Sequence, residues 1–356
     1  MRSEREPRVS IQRRMVRRLA PIAVAAIAMF SSNPHLPDIF TDPTSPSISQ
    51  NLEKQEQQIF APQVTIVDFA PSTPEEGIIQ KEFVPMRRLI ENVWTTTDND
   101  TKKFVTQLAE YYSDHGQIVA KAMEKAWGKM GLQSSGIKMI PLQSIFDSQS
   151  WHEIKDPDTN NPGISLNFDP KHIIKLLEND DSRIVNMSFQ VGNVDIFPKK
   201  IIGAYHHSRA EENLSKLFEV ANAYPDKLFI AAAGNNNEDL RDALKALKDK
   251  KPNNLLLTAQ WKQWQLEQHP EDNVYAGADI TIYTDNALIE TDDGSSISSS
   301  IVTAAAEALF FRQGLTMEQV IAKIKSVSIV SEYEIDGVKE KALVFDPKNL
   351  LPLTTP

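Results

Sequence analysis

A chain of 356 residues, 41% hydrophobic and 24% charged, has ordinary globular composition, with room for one large α/β domain or two smaller ones. It contains no cysteine, which excludes disulfides, thiolate metal sites and cysteine nucleophiles. The formal charge of −10 is unevenly spread: residues 1–20 hold seven arginines against Glu4 and Glu6, so the remainder carries 31 basic and 46 acidic residues. An acidic body without a basic stripe argues against nucleic acid as a partner.

Residues 1–32 read as an export signal. The apolar run from Leu19 to Phe30 is too short to span a bilayer comfortably, and it suits the core of a secretory signal. Ala26-Ile27-Ala28 supplies a small-x-small cleavage signal, and the paired arginines at 13–14 and 17–18 fit twin-arginine export. An exported protein, periplasmic or secreted, is expected, with residues 19–30 as a membrane anchor if the signal is retained. Residues 33–60, rich in Pro, Ser, Asn and Gln, read as a linker or short pro-segment.

From residue 61 to 350 the pattern alternates. Residues 63–68 form a β-branched run ending in Asp68. Residues 102–130 have helical spacing interrupted at Ser113-Asp114-His115-Gly116, which sets His115 at a loop-to-helix junction. Strands are predicted at 136–142, 183–189, 228–235, 254–258 and 278–284, with helices at 170–179 and 211–223. Near-continuous apolar strands alternating with helices read as an α/β fold with a mostly parallel sheet covered on both faces. Neither a dinucleotide glycine fingerprint nor a phosphate loop is present.

Gly294-Ser295-Ser296-Ile297-Ser298 stands between a strand and an Ala-rich helical run. A glycine turn followed by small hydroxyl residues puts a serine at a helix N-terminus, where unpaired N–H groups favour developing negative charge. A flexible Ser/Gly loop is the alternative reading of these residues alone. Three more groups lie where an open α/β sheet presents chemistry: Asp68 after a strand, His115 entering a helix and Asn235 after a strand. His206-His207 near Glu211 and Glu212 reads as a solvated helix face.

These stretches resemble the subtilisin-like serine peptidases. Val64-Thr65-Ile66-Val67-Asp68 is similar to the family's aspartate motif and His115-Gly116-Gln117-Ile118-Val119-Ala120 to its histidine motif. Ala232-Ala233-Gly234-Asn235 resembles the oxyanion-asparagine motif, and Gly294-Ser295-Ser296-Ile297-Ser298 the serine motif. The resemblance covers about residues 61–330 and implies a three-layer subtilisin-like fold, with Ser296 as nucleophile, His115 as base, Asp68 orienting it and Asn235 at the oxyanion. It also implies that Ser188, Phe189, Gln190 and Gly234 line an extended substrate, and that the chain is an endopeptidase acting on proteins. The Asp…His…Ser order is the one the subtilisin example itself carries.

Several neighbours depart from the family. Phe69-Ala70-Pro71 follow the aspartate, Gln117 replaces Thr after His-Gly, Ser295 replaces Thr before the nucleophile, and Ser300 stands where the family has proline. Gln190 and Val191 stand where glycines normally leave room for substrate. These changes motivate a second reading, a catalytically impaired relative that binds extended peptides or a partner protein. An esterase is a third, but the Gly-x-Ser-x-Gly elbow lacks its second glycine. The chemistry requires no cofactor. Relatives often carry structural calcium, yet no acidic loop here has calcium-site spacing; Asp292-Asp293 and Asp98-Asn99-Asp100 read as solvated loops.

Overall fold

The computed structural model describes residues 63–69, 78–80, 115–133, 136–142, 151–158, 160, 162–189, 191–197, 200–202, 209–234, 240–261, 277–283, 294–335, 338–347 and 349–350. The chain divides into two compact units, Met1–Leu52 and Glu53–Pro356, and all described residues lie in the second. The predicted export signal, residues 1–32, and the predicted linker, residues 33–60, therefore fall outside the described residues. No helix among the described residues is long and apolar enough to cross a membrane.

The main sheet gathers β1 (Val64–Asp68), β2 (Ile78–Gln80), β3 (Ile137–Pro141), β6 (Ile184–Met187), β9 (Leu228–Ala232), β10 (Leu255–Trp261), β11 (Ile280–Tyr283), β12 (Ile329–Ile335) and β13 (Val338–Val344). Its order is β12-β13-β11-β10-β9-β6-β1-β3-β2, parallel throughout except for the β12–β13 hairpin. The inner strands are mainly apolar on both faces because helices cover both. Val64, Ile66, Ile184 and Ile230 pack with α1 (His115–Lys129), α5 (Ser295–Glu307) and α6 (Met317–Val327). Val67, Val185, Met187 and Phe229 pack with α2 (Pro170–Leu177), α3 (Ala210–Ala223) and α4 (Arg241–Ala246). The fold is a three-layer α/β sandwich around a mostly parallel sheet, as the sequence pattern predicts.

Two predicted strands are shorter than their apolar runs. The 183–189 run stops pairing at Met187, where the β1 and β9 ladders both end, so Ser188 and Phe189 leave the sheet. The 228–235 run ends as a strand at Ala232, and Gly234 turns away at φ +110. A second sheet has no counterpart in the predicted elements. It is antiparallel, with β4 (Trp151–Lys155), β5 (Pro162–Phe168), β7 (Gly192–Phe197) and β8 (Lys200–Ile202) in the order β4-β5-β7-β8. The β4–β5 turn is built locally: Asp156 accepts from Asp158 N–H through Oδ1 and from Asn160 N–H through its carbonyl.

Polar groups close the amino end of the main sheet. Asp180, whose side chain is fully buried, accepts from Thr65 Oγ1 and Lys138 Nζ, each at 2.7 Å, and pairs with Lys227 Nζ at 3.3 Å. Lys227 also donates to the carbonyls of Asp180 and Ser182. Burial pushes the Asp180 carboxyl up, but the bonds from Lys138 and Thr65 and the charges of Lys227 and Lys138 outweigh it, leaving a pKa below the ordinary value. Because the folded pKa is lowered, the stabilisation is complete above the unfolded value of about 4 and fades as pH falls through the folded one. Asp180→Asn strands two lysine charges and is expected to cost about 3 kcal/mol at neutral pH. Urea melts of both proteins from pH 7 to pH 2 check this; a gap between them that does not shrink below pH 4 contradicts it.

Candidate active site

The parallel register brings one set of strand ends to a common level. Val67 pairs with Met187 and Met187 with Ala231, so Asp68, Ser188 and Ala232 emerge together at the carboxyl edge. Two helices start at the same edge, α1 at His115 and α5 at Ser295. They are packed side by side, with Trp127 Nε1 of α1 donating to the Ala304 carbonyl of α5 at 3.1 Å.

Asp68 and His115 meet here. Nδ1 of His115 lies 2.8 Å from Asp68 Oδ1 and 3.0 Å from Oδ2. The Asp68 side chain is fully buried and that of His115 is 22% exposed. Oδ1 of Asp68 also accepts the Phe69 N–H at 2.7 Å, which fixes the carboxylate plane. A carboxylate can only accept, so it selects the tautomer protonated at Nδ1 and leaves Nε2 as the basic nitrogen. Close approach of α1 to β1 depends on Gly116, whose N–H donates to the Phe69 carbonyl at 2.9 Å.

Ser296 is the second residue of α5. The helix ladder begins with the Ile297 and Ser298 N–H groups on the Gly294 carbonyl, so the Ser295 and Ser296 N–H groups have no intrahelical acceptor. Gly294 sits at φ 147, ψ 163, a conformation essentially confined to glycine. Its N–H donates to Gln260 Oε1 at the end of β10. The Ser295 hydroxyl accepts from the Gly234 N–H at 3.2 Å, which ties the end of β9 to the helix start. The Ser296 hydroxyl donates to the Ser188 carbonyl at 3.0 Å.

Below Ser296 lies a buried polar seam that sequence reasoning missed. The Ser296 carbonyl accepts from Ser299 Oγ and Ser300 Oγ, each at 2.8 Å. Ser188 Oγ stands 2.7 Å from Asn186 Oδ1 and 2.8 Å from Ser299 Oγ. Asn186 Nδ2 donates to Thr303 Oγ1, which donates to the Ser299 carbonyl. The signal was present: hydroxyls at 296, 299, 300 and 303 share one face of the helix, and Asn186 and Ser188 stand two residues apart at a strand end. Ser300, where the resemblance leads one to expect proline, keeps its N–H and adds this hydroxyl contact.

Among the predicted site residues, the structure joins Asp68 to His115, Ser296 to Ser188, and Gly234 to the Ser296 helix through Ser295. Phe189 packs behind the site, its ring 5.4 Å from Phe168. Asn235 and Gln190 lie outside the described residues, as do His206 and His207. Among the described residues no three His, Asp or Glu side chains group as metal ligands.

The fold and this edge define an α/β protein with an Asp–His pair and a serine-bearing helix start at the same edge of the sheet. No protein-family profile matches the chain, and no curated protein does. Solved structures similar to it include the A-subunit of the AB5 toxin from E. coli, at 15% identity and TM-score 0.43, covering 82% of this chain and 92% of that one. The nisin leader peptidase NisP from Lactococcus lactis is similar at 12% identity and TM-score 0.38, covering 83% and 88%. The serine protease MycP1 of the type VII (ESX-1) secretion system is similar at 13% identity and TM-score 0.40, covering 85% and 87%.

A Cβ at residue 116 would fall 2.5 Å from the Phe69 carbonyl oxygen and 3.2 Å from Asp68 Cβ. Gly116→Ala is expected to lower stability by about 2 kcal/mol through overpacking and to lengthen the His115–Asp68 bond. Chemical denaturation reads the first and the downfield Nδ1 proton resonance of His115 the second. Unchanged values in both would show that this contact does not set the pair.

Proposed function

We propose that this chain is an exported serine peptidase of the subtilisin-like kind, which hydrolyses peptide bonds of proteins through an acyl-enzyme. The observation that carries the reading is the Asp68–His115 pair at 2.8 Å, at the sheet edge where α5 begins with Ser296 in its first turn. Ser296 Oγ attacks the scissile carbonyl carbon while Nε2 of His115 takes its proton. Asp68 stabilises the resulting imidazolium. The Ser296 N–H and Asn235 face the oxyanion, a role in which one donor is worth about 10²–10³ in turnover in the subtilisin case from which that figure comes. His115 then protonates the leaving amine, and water releases the acyl group by the reverse steps.

In this reading residues 1–32 direct export, 33–60 connect, and 61–350 form the peptidase domain. Ser188, Phe189, Gln190 and Gly234 border the substrate. The partner is a protein or peptide, and no metal takes part in the chemistry.

A second reading has one specific observation behind it. The Ser296 hydroxyl proton is directed at the Ser188 carbonyl, the group an extended peptide would use for pairing. A site resting in this state binds peptides without cutting them.

Treatment of the full chain with a fluorophosphonate, followed by mass mapping, separates the two. The peptidase reading expects a label on Ser296 that falls by at least about 10³-fold in His115→Ala, and none in Ser296→Ala, with both variants folded. A folded wild-type protein that takes no label at Ser296 favours the binding reading.

A further inference from the structure

Strand β12 is the outermost strand of the main sheet and is paired on one side only. All seven of its residues pair with β13, from Ile329↔Val344 to Ile335↔Val338, without a bulge. Ile335 and Val338 are separated by two residues, so theirs is the hydrogen-bonded kind of antiparallel pair that closes a hairpin. The two kinds of pair alternate along the ladder. Ile329, Ser331, Tyr333 and Ile335 therefore turn their backbone groups to β13, and Val330, Glu332 and Glu334 turn theirs away from the sheet. Natural edge strands are blunted by lysine, proline, a bulge or a covering element. β12 has no lysine, proline or bulge. Its start is also uncovered: Ile329 is 64% exposed and Val330 55%, two of the three large apolar side chains exposed among the described residues. An extended segment added here gains main-chain bonds and covers both side chains.

Charge selects the segment. β12 carries Glu332 and Glu334 and no basic residue. On its paired side β13 supplies the complement: Val344 and Leu343 stand opposite Ile329 and Val330, then Lys341 and Lys339 opposite the two glutamates. Lys341 Nζ lies 3.8 Å from Glu332 Oε1, a loose pair between exposed groups. On the outer side no strand of the sheet supplies a matching charge. A second copy of β12, paired antiparallel along the full strand, sets Glu332 opposite its own counterpart. Like charges directly opposite destabilise a ladder, whereas opposite charges support it.

We propose that the outer edge of β12 docks a basic extended segment of a partner protein. The segment adds as an antiparallel strand, with apolar residues opposite Ile329 and Val330 and lysine or arginine opposite Glu332 and Glu334. β13, β11 and β10 stand between β12 and β9, so the proposal does not depend on the peptidase reading.

The test uses the full chain with Ser296→Ala, so that hydrolysis does not consume the probes. Two capped synthetic peptides span the strand, one alternating valine with lysine and the other valine with glutamate. Fluorescence anisotropy reads binding, and backbone hydrogen exchange reads its place. The lysine peptide is expected to bind about tenfold tighter than the glutamate peptide and to slow exchange in residues 329–335. Glu332→Lys should shrink or reverse that preference. Val330→Pro removes an outward N–H but no bond to β13, and should abolish binding while exchange in residues 338–344 stays slow. No binding, equal binding of both peptides, or protection elsewhere overturns the proposal. Protection of residues 329–335 that grows with protein concentration and needs no peptide also overturns it, by assigning the edge to a second copy. Each of these results leaves the reading of Ser296 untouched.

Discussion

Helix α5 is buried along its whole length, from Ser295 to Glu307, and it carries hydroxyls at 295, 296, 298, 299, 300 and 303. A buried hydroxyl without a partner costs about 1–3 kcal/mol, so the polar stripe on this helix constrains what may lie against it. The structure meets most of the constraint by turning the hydroxyls of Ser299, Ser300 and Thr303 back on helix carbonyls and setting Ser296, Ser299 and Thr303 against Ser188 and Asn186, while Ser298 Oγ finds no partner among the described residues. The seam does two things at once. It satisfies buried polar groups, and it sets the depth and rotation of α5 relative to the strand end from which Ser188 emerges. The position of Ser296 follows from both.

Opposite ends of the sheet have different roles. At the amino end, Asp180, Lys138, Lys227, Thr65 and Ser182 form a closed group in which each charge has a counter-charge or a carbonyl. Groups of that kind hold strands in register and leave nothing over for chemistry. At the carboxyl edge the polar groups sit at strand ends and helix starts, where backbone groups have no ladder partner. His115 keeps partial exposure there while Asp68 has none.

The antiparallel sheet changes the surroundings of this edge without touching the Asp68–His115 pair. β7 begins four residues beyond Ser188, whose carbonyl accepts the Ser296 hydroxyl, and it is held by β5 and by Asn213. Phe69 and Phe189, which follow Asp68 and Ser188 in the chain, both pack on Phe168 or against its neighbours. Phe69 and Phe189 thus share one aromatic cluster with Phe168, and the added ladder begins next to it at Gly192.

The sequence by itself determined the alternation of apolar strands and amphipathic helices, and with it the parallel sheet, because burial on both faces makes the inner strands mainly apolar. It also placed Asp68, His115 and Ser296 at element boundaries, since a β-branched run, a His-Gly junction and a glycine before small hydroxyl residues are local signals. Tertiary structure alone decided the rest. Strand ends at Met187 and Ala232 depend on where neighbouring ladders stop, which an apolar run does not encode. The second sheet rests on pairing between residues 162–168 and 192–197, and neither short segment has a strong pattern until it meets its partner. The hydroxyl seam joins residues 186 and 188 to 296–303, more than a hundred positions apart. Its members look in sequence like ordinary serines, and only packing at fixed distance gives their hydrogen bonds a direction.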